Sequence, residues 1–105
     1  MIITTSDQIL GKEIRESLGL VRGSTIRAKH LGKDIIAGLR GIVGGEIKEY
    51  TEALEEARKI AVERMIKDAE EMGADAIVCV RFTTSQILTG AAELLVYGTA
   101  VKLEE

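Results

Sequence analysis

Proline, tryptophan and asparagine are absent from the 105 residues, and cysteine and histidine occur once each. Each shortage closes a class of function. A single cysteine, Cys79, cannot form an internal disulfide, which agrees with a reducing compartment. One Cys and one His also fall short of the four ligands of an ordinary zinc site built within one chain. Tyr50, Phe82 and Tyr97 are the only aromatics, too few to form a stacking platform for bases or a pocket for flat cofactors. The 14 basic and 17 acidic residues are interleaved and sum to −3, so no basic stripe faces a phosphate backbone and nucleic acid is not an expected partner. No apolar run approaches the roughly 18 residues of a membrane span. Met1-Ile2-Ile3-Thr4-Thr5 lacks the charged region and apolar run of a signal peptide. The expectation is a cytoplasmic protein with no membrane partner.

What is present reads as one α+β domain. Its 30% charged and 46% hydrophobic residues are a globular composition, and no linker, repeat or low-complexity segment divides residues 1–105. Many Glu and Lys with no Asn and two Gln resemble the bias of proteins from hot environments, although the missing proline points the other way. Residues 1–4 predict a short strand and residues 5–8 a turn. Residues 13–28 alternate, with Ile14, Leu18, Leu20 and Ile26 on one parity, which predicts a long half-buried strand. Glu16 and Arg22 break that parity, and Gly19 and Gly23 predict a bulge or bend that explains the break.

Residues 34–43 carry Ile35, Ile36, Leu39, Ile42 and Val43 at helical spacing behind Asp34, and Gly44-Gly45 ends that helix. Residues 47–72 predict a helix roughly 39 Å long with the stripe Ile47, Tyr50, Leu54, Ala57, Ala61, Met65, Ala69 and Met72, capped by Gly73. Ile60, Val62 and Ile66 widen its apolar arc beyond what one sheet contact needs. Residues 75–82 predict a strand with Ala76, Val78, Val80 and Phe82 on one face and Ile77 and Cys79 on the other. Residues 92–101 place Leu94, Val96, Gly98 and Ala100 opposite Leu95, Tyr97 and Val101. Both faces of these late strands are apolar, so a sheet covered by the helix on one side needs a second cover on the other. Subunits of a symmetric ring would provide it.

Four features offer chemistry, and each has a plainer reading. The segment Gly38-Leu39-Arg40-Gly41-Ile42-Val43-Gly44-Gly45-Glu46 leads into a helix N-terminus, but it follows a helix and lacks the Gly-Lys-Ser/Thr of a phosphate loop. Its glycines read as a helix-to-helix turn. His30 stands between Lys29 and Leu31-Gly32-Lys33 with no adjacent carboxylate to orient it, which reads as a solvated loop histidine. Cys79 sits among Ile77, Val78 and Val80 as a small buried hydrophobe, with Arg81 as the one cation that would favour a thiolate. The glutamates of the long helix read as a solvated face with i,i+4 pairs such as Glu55 with Lys59. Rotational symmetry alters the count of ligands. Repeated around an axis, His30, Cys79 or Glu46 would each supply several donors to one metal ion.

The glycine-rich segment 38–46, Tyr50, Gly73-Ala74-Asp75-Ala76-Ile77-Val78, Val80-Arg81-Phe82 and Tyr97-Gly98-Thr99-Ala100-Val101 form a pattern with Ile3-Thr4-Thr5 and Gly19-Leu20-Val21-Arg22-Gly23. Over nearly the whole chain it resembles the YbjQ-like family, an uncharacterised family often labelled heavy-metal-binding. That resemblance implies a curved antiparallel or mixed sheet wrapped on a long helix, similar to a dodecin subunit, assembled as a pentameric ring. The chain departs from the family pattern at Thr83 and Gln86, where the family carries acids, at Cys79, where glycine is usual, and at Leu10, where proline is expected.

No nucleophile–base pair is visible, so the expectation is an oligomeric binding protein rather than an enzyme, with metal as the implied ligand. The alternatives are a small-molecule enzyme with an inter-subunit site near Arg40, Tyr50, Arg81 and Tyr97, or a structural adaptor ring.

Overall fold

The computed structural model describes residues 1–28, 48–88 and 91–105. They form an α+β unit with β1 (Ile2–Ile3), β2 (Ile14–Ala28), α1 (Lys48–Glu71), β3 (Ala76–Leu88) and β4 (Ala91–Leu103). The sheet order is β1-β3-β4-β2, with β1 parallel to β3 and the other neighbours antiparallel. The predicted helix at 34–43 and the glycine-rich turn after it lie outside the described residues.

Helix α1 lies on one face of β2 and β4, and its small side chains set the distance. Ala57, Ala61, Met65 and Ala69 are fully buried, and the last three pack with Val21, Ile77, Val80, Val96 and Ala100. Met72, the last residue of the predicted stripe, is instead 40% exposed, because the helix ends at Glu71 before reaching it. Leu18, Val62 and Ile66 fill the margins of this core. Gly73 adopts φ 78°, donates to Glu70 O at 3.0 Å, and Ala74 N donates to Ala69 O at 3.1 Å. Those two bonds are a Schellman cap, which satisfies carbonyls the helix end would leave orphaned.

Register shifts, two in β2 and two in β3, rearrange the faces that simple alternation predicts. The register of β2 against β4 shifts between Ser17 and Gly19, where Gly19 takes φ 124°. Beyond that bulge the inward parity is Val21, Gly23 and Thr25, so Leu20 and Ile26 face outward instead of joining Leu18, and a further register shift at Ile14/Glu16 sets Ile14 opposite Leu103 of the outer face. Gly23 is not itself a bend, since its pairing with Val96 is regular. It serves close approach: a Cβ there would overlap Ala61 O on the helix. In β3 the shift between Val78 and Arg81 moves Val80 onto the helix side beside Ile77, leaving Ala76, Val78 and Cys79 on the other.

The outer face is covered at one end by the chain itself. Ala76, Val78 and Val101 are buried there against Ile9, Cys79 and Leu103. The segment carrying Ile9 begins with the expected turn, in which Ser6 N donates to Thr4 Oγ1 at 3.2 Å and Ser6 Oγ to Gln8 O at 2.6 Å. Part of the second cover predicted from the apolar faces is therefore intramolecular.

Candidate functional site

The register of the sheet places Arg22, Tyr97 and Arg81 in one row across the outer face, Arg22 opposite Tyr97 and Tyr97 opposite Arg81. All three side chains are exposed. Cross-strand neighbours on one face of an antiparallel pair stand about 5 Å apart at Cβ, so the tyrosine ring is flanked by two cationic side chains. Leu20, two residues before Arg22, has 67% of its surface open, and Ile26, four residues after Arg22, is 60% open. Phe82, on the helix side but beyond the reach of the helix, is 52% exposed.

Arg81 has a structural task. Its Nη1 donates to Thr5 O at 2.8 Å and to Val80 O at 2.9 Å, which clamps the segment bearing Ile9 onto β3. Of the four residues proposed for a ligand site, the structure thus brings Arg81 and Tyr97 together and adds Arg22. Tyr50 is described only as helical backbone, and Arg40 lies outside the described residues. Arg22 is hidden from pattern reading because the bulge at Gly19 decides which face it occupies.

Cys79 is half-buried in the outer cluster, and its N–H donates to Ser6 O at 2.9 Å. Its backbone has φ 56°, a left-handed conformation rare for a residue with a Cβ. Glycine, which the family resemblance places here, takes that conformation without steric cost. The position is thus governed by backbone geometry. The other two proposed metal donors, His30 and Glu46, lie outside the described residues. Among the described residues of one chain, no three His, Cys, Asp or Glu side chains come together to hold an ion. A metal ion is not accommodated by the described donors of a single copy.

A shallow cavity of about 460 Å³ lies along the N-terminal segment, lined by Asp7, Gln8, Ile9, Lys12, Glu13 and Ile14. Its two carboxylates sit with a lysine between them in sequence. No spacing in the sequence marks these residues, because the fold of residues 5–14 gathers them. No described helix is long and apolar enough to cross a membrane.

Comparison with known proteins agrees along the whole chain. Residues 1–104 match the family described as "Putative heavy-metal-binding", YbjQ-like in name. A UPF0145 protein of Methanosarcina acetivorans is 65% identical over 103 residues, covering 98% of this chain and 97% of the relative. One from Thermotoga petrophila is 58% identical over 105 residues, covering 100% and 99%, and one from Colwellia psychrerythraea is 56% identical over 105, covering 100% of both. A crystal structure of a Pediococcus pentosaceus protein of unknown function, assigned to the DUF74 family, superposes with a TM-score of 0.66 at 18% identity, covering 99% and 98%. That likeness supports the fold.

Proposed function

The chain belongs to the YbjQ-like, UPF0145 family of uncharacterised proteins, and on that premise we propose that it works as a cytoplasmic homo-oligomer whose ligand site is shared between copies. The observation that carries this reading is surface. The chain exposes 7331 Å², whereas a folded monomer of 11.4 kDa exposes about 5,800 Å². A ring subunit taken alone leaves open the two faces that its neighbours would cover, and is expected to carry such an excess. The Cα radius of gyration of 17.1 Å, against about 13 Å for a compact domain of this length, agrees.

Five copies is the number the family resemblance implies. In such a ring the metal-binding role would draw its donors from several subunits, which is consistent with the lack of a described cluster within one. Size exclusion coupled to light scattering tests the assembly. A mass of one chain at every micromolar concentration excludes it. Elemental analysis of untagged protein, followed by calorimetric titration with Zn²⁺, Cu²⁺ and Ni²⁺, tests the ligand. Sub-stoichiometric metal with no heat removes the metal reading and leaves the assembly intact.

The Arg22–Tyr97–Arg81 row favours a second reading, a site for a small anionic metabolite at the same interface. A thermal shift with anionic metabolites, abolished by Arg22→Ala with the mass of the assembly unchanged, would support it.

A further inference from the structure

The sheet has two long outer edges, and they are treated differently. On β2, Arg22 N donates to Asp68 Oδ2 at 3.3 Å and Ser24 O accepts from Arg64 Nη1 at 2.6 Å. Two side chains of α1 thus engage one outward N–H and one outward C=O of that edge. On β3, Val80 N donates to Thr4 O at 3.0 Å, and past Val80 no described residue pairs with the outer edge.

Which backbone groups face outward there follows from the register. Arg22 N points away from β4, so Arg22 and Tyr97 are a non-hydrogen-bonded pair and Tyr97 turns its N–H and C=O to β3. Arg81, opposite Tyr97, faces β4 in return. The pairing is regular from Arg81 to Gln86, so Phe82, Thr84 and Gln86 direct their N–H and C=O groups outward.

Between Arg81 and the further register shift at Gln86/Leu88, this edge also carries neither charge nor proline. Residues 82–88 read Phe-Thr-Thr-Ser-Gln-Ile-Leu, with no Lys, Glu, Asp, Arg or Pro, in a chain that is 30% charged. Exposed edges are normally blunted by charge or proline. From this contrast we infer that the outer edge of β3 at residues 82–86 is the strand-pairing surface that receives an extended segment of a second copy.

Identity of the partner rests on two observations. Each chain carries −3, so copies meet most easily along an uncharged strand, where no like charges are brought together. The surplus surface described above is also what contacts between copies would cover. Pairing would extend the sheet across the subunit boundary and supply partners for the outward groups of Phe82, Thr84 and Gln86. The inference rests on the assembly reading and specifies its contact.

Amide hydrogen exchange on the full chain at assembling concentration tests it. Thr84 N–H is expected to exchange at least about a hundredfold more slowly than the open-chain rate. Thr84→Lys and Thr84→Pro are expected to reduce the assembled mass by light scattering while keeping the far-ultraviolet circular dichroism of the parent. Proline there removes an outward N–H only, and lysine serves as the deciding variant should proline unfold the chain. An assembled protein whose Thr84 amide exchanges freely, or whose mass is unchanged in folded Thr84→Lys, overturns the inference and leaves the assembly reading standing. Protection that persists in a monomeric chain also overturns it, because the cover is then intramolecular. A wild-type chain that is monomeric with a freely exchanging Thr84 amide overturns both.

Discussion

Gly23 in β2 lies so close to Ala61 in α1 that a side-chain carbon on the glycine would overlap the alanine carbonyl oxygen. The obstacle is helix backbone, which cannot rotate aside as a flexible side chain would. Sheet and helix therefore touch where both have given up side-chain volume.

Gly23→Ala is expected to destabilise the protein by about 3 kcal/mol or more, since the helix must lift from the sheet. Gly11→Ala is the control, because a carbon there meets nothing within 4 Å and only its φ of 81° is unfavourable. It should cost about 1 kcal/mol. Urea denaturation of both at one protein concentration checks the pair. Equal losses would dismiss the close-approach account.

The strained backbone at Cys79 predicts an inverted ranking. Ordinarily alanine is at least as stabilising as glycine in a strand, but φ of 56° reverses this. Cys79→Gly should exceed Cys79→Ala by about 1 kcal/mol, with branched Cys79→Val lowest. Both small variants remove the thiol, so the difference between them isolates the conformation. Chemical denaturation in which alanine equals or surpasses glycine would sink the explanation.

Thr25 is buried at 5% exposure, and its hydroxyl donates to Ala57 O at 3.0 Å. Thr25→Val should cost about 1 kcal/mol, because it loses one bond to a helix carbonyl and strands no buried donor. Thr25→Ser retains the donor and should lose less. A thermal melt that ranks Val at or above the parent would show the bond to be without net value.

Asp68→Ala should leave global stability within about 1 kcal/mol, as expected of an exposed bond. Its distinguishing effect is local: the Arg22 amide should exchange faster, whereas Asp68→Asn, which keeps a carbonyl acceptor, should restore much of its protection. Exchange at Arg22 that is insensitive to both variants would mean that the carboxylate does not guard this edge.

Legibility in the sequence followed regularity. The alternation of Leu94, Val96, Gly98 and Ala100 against Leu95, Tyr97 and Val101 predicts the faces of β4, which has no bulge of its own. Ala57, Ala61, Met65 and Ala69 are equally legible because α1 runs without interruption to its glycine cap. Leu20, Ile26 and Val80 are assigned to the wrong faces by parity, since one extra residue at Ser17/Gly19 and another between Val78 and Arg81 exchanges inside for outside. Gly19 hints at the first. Cys79 conceals the second by standing where glycine would have announced it. The partnership of Arg81 with Tyr97 is a matter of register between strands, which composition and spacing within each strand do not encode.

The bulges at Ser17/Gly19 and Val78/Arg81 flank the same short stretch of β4, one on either side, and this has a consequence for insertions and deletions. Losing a single codon at either bulge would straighten one strand and reassign the residues beyond it, while its neighbours keep their places. Losing a single codon from β4 between Tyr97 and Val101 would displace both neighbouring ladders at once. The middle strand thus acts as the ruler from which both flanks are measured, and length changes should be tolerated least there.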